Sequence, residues 1–177
     1  MLYFNGFSLK NEQIFFDALL PESVLYVAGF SYGAQKAFEY VYHSARRVDR
    51  LILLSPAFFQ TQKPAFVRTQ LRYFASDNEA YVKQFLQNVV HPAQCDLSAH
   101  LDPGSKEELE ALLSYTWDTE KIKEVLDRGT TIEVFFGEED RIIDLDSAYA
   151  FFKPLGVCYL IKGAGHLLLG KRSPYGT

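Results

Sequence analysis

Two cysteines in 177 residues are too few for a disulfide framework. Cys95 and Cys158 read as buried free thiols in a reducing cytoplasm. No cysteines and histidines are spaced as in a metal site, so neither a metal nor any other cofactor is expected. No apolar run approaches the ~20 residues that a membrane-spanning helix needs. The opening Met1-Leu2-Tyr3-Phe4-Asn5-Gly6 has neither a basic segment nor a long apolar one, so no signal peptide is expected and the cytoplasm is the expected compartment. Excess positive charge is missing too. The net charge is −4, which argues against nucleic-acid binding. The cluster Arg46-Arg47-Val48-Asp49-Arg50 reads as a solvated helix end, its cations complementing the helix dipole, in preference to a phosphate patch. Repeats, low-complexity tracts and flexible linkers are also lacking.

What is present is enough apolar material for one domain with a proper core: 48% of residues are hydrophobic. Short apolar strands are expected at 2–5, 24–28, 51–54, 132–136 and 157–161. Helices are expected at 12–20, 34–43 and 146–152. Near-continuous apolar strands alternating with helices indicate an α/β fold, a parallel sheet of about five strands covered by helices on both faces. Residues 57–128 break that alternation. They are helical by pattern, with a capping box at Ser105-Lys106-Glu107-Glu108 and a helix closed at Gly129. This predicts a core made of 1–56 and 129–177, with 57–128 inserted as a helical lid.

The chemistry concentrates at strand ends. Gly29-Phe30-Ser31-Tyr32-Gly33 follows one predicted strand and opens one predicted helix, the context of a nucleophile elbow. Such a turn lifts a serine hydroxyl above the sheet in a strained conformation, and side chains two residues to either side would collide. Glycine at 29 and 33 therefore has a mechanical reason. The alternative is an ordinary tight strand–helix turn. Ser8 is a useful contrast, because Lys10 stands where the second glycine should be.

A serine nucleophile needs a base, and the base needs an orienting group. His166, in Gly163-Ala164-Gly165-His166, follows the last strand directly. Asp140 lies three residues beyond Gly137, which ends the strand before it. Asp144 and Asp146 are rivals, the latter better placed as a helix N-cap. His43, His91 and His100 fall away from strand ends. The order Ser31, Asp140, His166 is the order of an α/β hydrolase. An oxyanion needs two N–H donors. The backbone of Tyr32 is one candidate, and Phe7, in the loop after the first strand, is the other, unless Gly6 merely turns the chain there.

These motifs resemble the α/β-hydrolase family across nearly the whole chain. Phe4-Asn5-Gly6-Phe7 looks like its oxyanion loop, Val27 to Gly33 its elbow, Gly137-Glu138-Glu139-Asp140 its acid loop and Gly163 to His166 its histidine loop. Asn5 replaces the usual histidine. The chain opens at the family's third strand, and 18–23 runs straight into the elbow strand, so the fourth is missing. This layout, with Ile132-Glu133-Val134-Phe135, is similar to the BioV-type pimeloyl-[acyl-carrier-protein] methyl ester esterases of biotin synthesis. That resemblance implies hydrolysis of the methyl ester of a carrier-bound pimeloyl chain, with an acyl carrier protein as partner. The predicted lid could supply an apolar channel from Phe58, Phe59, Phe66, Tyr73, Phe74, Tyr81 and Phe85. Lys63, Arg68 and Arg72 could form a landing face, Arg68 and Arg72 sharing one side of a helix. The plainer alternatives are core packing for the aromatics and a solvated face for the arginines. A general carboxylesterase or thioesterase, or a hydrolase-like binding protein, remains open.

Overall fold

A computed structural model describes residues 1–171. Five parallel strands lie in one sheet in sequence order: β1 (Leu2–Phe4), β2 (Tyr26–Phe30), β3 (Arg50–Leu54), β4 (Thr131–Gly137) and β5 (Val157–Ile161). The register pairs Gly29 with Leu53 and Leu53 with Val134, so the carboxyl ends of β2, β3 and β4 form one rim. The inner strands are apolar on both sides because both are covered. Leu51, Ile52, Leu53 and Leu54 are buried without exception, each burial stabilising by roughly 1.5–3 kcal/mol.

One face carries α1 (Tyr32–His43) against β1–β3 and α6 (Leu145–Phe152) against β4. The other carries a second apolar cluster in which Phe16, Ala28, Phe30, Ile52, Leu54 and Phe135 meet Val89 and Leu97. The helix expected at 12–20 is shorter than its pattern promised. It is a single 3-10 segment, Glu12–Phe16, entered through Asn11 in the left-handed region (φ 55°). Glu12 is drawn inward by a bond to the Gly6 amide, and that tether and the left-handed entry tighten the turn. Both cysteines are half-buried free thiols rather than fully buried ones. Cys158 lies on β5, an edge strand whose Val157, Tyr159 and Leu160 are exposed. Arg50 is no helix end. It begins β3, pairs with Glu133 at 3.4 Å and lies over the Tyr26 ring.

Between β3 and β4 come α2 (Pro64–Ser76), α3 (Asn78–Val90), α4 (Lys106–Ser114) and α5 (Thr119–Asp127), with no strand among them. Asp77 caps α3 through Ala80 N–H, Ser105 and Glu108 form the expected capping box on α4, and Asp118 caps α5. Gly129 closes α5 at φ +87°, where glycine carries no penalty. This helical segment is tied to α1 and to the chain just after β3. Gln35 on α1 donates to Leu112 O and Ala57 O, and the Trp117 indole donates to Ala57 O.

Candidate active site

The elbow forms because nothing at its flanks has a side chain. A Cβ at Gly29 would fall on the Gly33 carbonyl, and one at Gly33 on the Phe4 carbonyl. Ser31 thus turns the chain at φ 54°, ψ −113°, outside the favoured regions, which costs roughly 1–3 kcal/mol. Main-chain bonds hold it there: Ser31 N–H donates to Leu54 O at 2.9 Å, and Ser31 O accepts from Ala34 and Ala57.

The structure brings together the three side chains picked from the strand ends. Ser31 Oγ lies 2.9 Å from His166 Nε2, and His166 Nδ1 lies 2.7 Å from Asp140 Oδ2. The side chains of His166 and Asp140 have no exposed surface, and Ser31 is 2% exposed. Asp140 is itself oriented. Its Oδ1 accepts from the amides of Ile142 (2.7 Å) and Ile143 (3.3 Å), leaving Oδ2 for the imidazole. Its rivals are elsewhere. Asp144, rather than Asp146, is the N-cap of α6, accepting from Ser147. The short loop after β4 places Asp144 directly before the first helical residue.

The histidine loop is fixed from the insertion. Leu167 N–H donates to Val89 O at the end of α3. The His91 carbonyl lies so close to Gly165 that no Cβ would fit there. Phe30 supports the imidazole from below, ring centroids 5.1 Å apart. An imidazole that bonds a hydroxyl on one nitrogen and a carboxylate on the other can take the hydroxyl proton and hold the resulting charge.

Of the two expected N–H donors, Tyr32 directly follows Ser31 and Phe7 lies in the loop after β1. Tyr32 opens α1, so its amide has no acceptor within the helix. The loop of Phe7 runs beside α1, where Phe4 O and Asn5 O press on Gly33. Among the described residues no protein acceptor takes either amide. One residue that the sequence reading passed over belongs here. Glu12 is fully buried and accepts the Gly6 amide at 2.7 Å and the Tyr3 hydroxyl at 3.2 Å. Burial, above all, pushes its carboxyl up from 4.5, against the opposing pull of the Gly6 bond. Tyr3 and His100 are the titratable groups facing it. A carboxyl raised in the folded state binds its proton more tightly there than in the unfolded chain. Stability is therefore lost as pH rises from 4.5 through the raised value. Thermal melts across that range should show the decline in the native protein and not in Glu12→Gln.

A cavity of about 530 Å³ is lined by Phe59, Phe66, Tyr73, Tyr81, Phe85 and Ile142 among others, and it meets the acid of the triad at Ile142, whose amide donates to Asp140. Burial pushes the Tyr81 phenol up to about 12, so it stays a neutral donor to Gln70. The predicted aromatic set therefore divides. Phe58 and Phe74 are core side chains, Phe59 is both a core side chain and a cavity wall, and Phe66, Tyr73, Tyr81 and Phe85 line the cavity. Arg68 and Arg72 are outside it, both exposed on α2 and without an acidic partner among the described residues. Among the described residues no cluster of histidine, cysteine and carboxylates could hold a metal, and no helix is long and apolar enough to cross a membrane.

No family model and no curated protein matches this sequence. Solved structures do resemble it. An alpha/beta hydrolase fold protein from Burkholderia ambifaria aligns over 80% of this chain and 59% of its own, at 20% identity and a TM-score of 0.54. Carboxylesterase CesB from Bacillus subtilis aligns over 86% and 56%, at 22% identity and 0.52. MenH from S. aureus aligns over 93% and 85%, at 14% identity and 0.59. The chain has the α/β-hydrolase fold. It spans only about half the length of CesB. At these identities the likeness carries the fold and not the activity. Within an α/β-hydrolase fold, the carboxyl ends of the strands are where ligands are met, and all three clustered side chains stand there.

Proposed function

We propose that the protein is a serine esterase in which Ser31 is the nucleophile, His166 the general base and Asp140 its orienting acid. The observation that carries this reading is the continuous buried relay from Ser31 Oγ through His166 to Asp140, at 2.9 and 2.7 Å. In the proposed reaction His166 takes the Ser31 proton as Oγ attacks the ester carbonyl, and the amides of Tyr32 and Phe7 hold the oxyanion. His166 returns the proton to the departing alkoxide, which leaves as an alcohol. It then activates water to free the acid from Ser31.

For the substrate we propose the methyl ester of pimeloyl-acyl carrier protein, released as the free acid and methanol. The motif resemblance supports it, as does a cavity with an aromatic wall of Phe66, Tyr73 and Phe85. In this reading 57–128 serves as the lid and the exposed Arg68 and Arg72, neither with an acidic partner among the described residues, receive the acidic carrier together with Lys63. Replacing both arginines with glutamate should lower kcat/KM on the carrier-bound ester by about tenfold or more at low salt, with a weaker effect at high salt. A small free ester should react at the unaltered rate. Equal rates on both substrates in the double variant would remove the carrier-docking role.

The deciding experiment is intact mass of methyl-pimeloyl carrier protein after incubation with wild type and with Ser31→Ala. Loss of the methyl group with wild type alone is the expected result. Release of the whole acyl chain would make the protein a thioesterase, and an unchanged mass would reject this substrate.

A further inference from the structure

Glu12 takes no part in the proton relay, yet it is a fully buried carboxyl whose Oε2 has no partner. Keeping such a group costs stability, so what it holds matters. Its Oε1 takes the Gly6 N–H, which fixes the peptide plane between Asn5 and Gly6. The next plane, between Gly6 and Phe7, is fixed through its carbonyl, which accepts from Leu9 N–H at 3.3 Å. With that carbonyl turned toward Leu9, the Phe7 N–H of the same plane points the opposite way. The loop is clamped from the outside as well. Ser8 Oγ accepts from Gly104 N–H, Ser8 O accepts from Asp102 N–H, and Leu9 bridges to Leu101. Gly6 leaves no room to shift, since a Cβ there would approach the Phe30 ring to 2.8 Å. Glu12 is the side chain that holds this turn from the sheet side.

We propose that Glu12 is a positioning residue for the oxyanion site: its bond to the Gly6 amide sets the orientation of the Phe7 N–H. This rests on the serine-esterase reading. Because the effect concerns only charge that develops after attack, it belongs to kcat and not to substrate binding. Glutamine keeps an acceptor oxygen for Gly6 but puts an unpartnered amide N–H₂ where Oε2 lies. It should reduce stability while preserving turnover. Aspartate keeps the carboxyl but is one methylene too short to reach Gly6.

The test measures kcat and KM for p-nitrophenyl butyrate, the Kd of butylboronic acid and the thermal midpoint, in wild type and Glu12→Gln, Glu12→Asp and Glu12→Ala. Butylboronic acid forms a tetrahedral adduct on Ser31 without turnover. Alanine and aspartate are expected to lower kcat about 10–100-fold, with KM within about twofold and boronic acid affinity reduced in parallel. Glutamine should stay within about threefold of wild type in both. Should the alanine variant fail to fold, aspartate against glutamine makes the same comparison. Wild-type kcat and boronic acid affinity in a folded alanine or aspartate variant would overturn the proposal and leave the esterase standing. So would a glutamine variant as impaired as alanine. Wild type that neither hydrolyses the ester nor binds the boronic acid would overturn the esterase reading itself.

Discussion

Ser31→Ala is expected to lower kcat by about 10⁴–10⁶-fold on any ester the protein cleaves. The whole relay ends at Oγ: without it His166 Nε2 has no proton to receive, and Asp140 orients a base that does nothing. The backbone should survive. The turn at φ 54° is held by Ser31's own N–H and C=O, which alanine retains, and the glycines at 29 and 33 still admit it. A thermal midpoint close to wild type, together with the lost turnover, is the expected pair of results. Initial rates and a melting curve on the same preparation check them. Residual rate above background would come from the oxyanion donors and binding alone. Turnover near wild type would mean that another group attacks.

Asp140→Asn is expected to cost about 10⁴-fold in kcat with little change in KM, by forcing the wrong tautomer. The two main-chain amides decide this. Ile142 and Ile143 both donate to Oδ1, so an asparagine must place its oxygen there and turn its N–H₂ toward His166 Nδ1. Nδ1 then accepts, Nε2 carries the proton, and the imidazole can no longer take one from Ser31. Flipping the amide would instead aim N–H₂ at two N–H donors, which is worse. Stopped assays across pH check the effect. A loss below about tenfold would show that the imidazole is oriented by its packing on Phe30 more than by the carboxylate.

Ser31, Asp140 and His166 were legible in the sequence because each depends on local features: an apolar run that ends, a glycine that lets the chain turn, and a polar residue a few positions on. The capping box at Ser105 and the stop at Gly129 are legible for the same reason. What escaped is what depends on partners distant along the chain. The pattern of 12–20 promised a helix, but Glu12 is pulled under Gly6 and the segment tightens into one 3-10 turn. Apolar spacing cannot reveal that a carboxylate faces inward. Nor could it separate the aromatics that line the cavity from Phe58 and Phe74, since all recur at helical spacing and only the docking of α2 on α3 and α4 sorts them. The N-cap of α6 was displaced by two residues, from Asp146 to Asp144, within the ordinary fraying of helix ends.

β3 and β4 are adjacent in the sheet, yet residues 55–130 stand between them. That separation bears on how the molecule assembles. β1, β2 and β3 can pair through short crossovers, and α2 to α5 form from near neighbours. Joining β3 to β4 instead closes a long loop, and the entropy of that closure is met before any pairing rewards it. The seam between Leu53 and Val134 is therefore the expected late event in folding. Since the aspartate and histidine stand beyond that seam and the serine before it, the relay exists only once the last long-range pairing is made. Recovery of activity after dilution from denaturant should lag behind the recovery of helix, by the time that one closure takes.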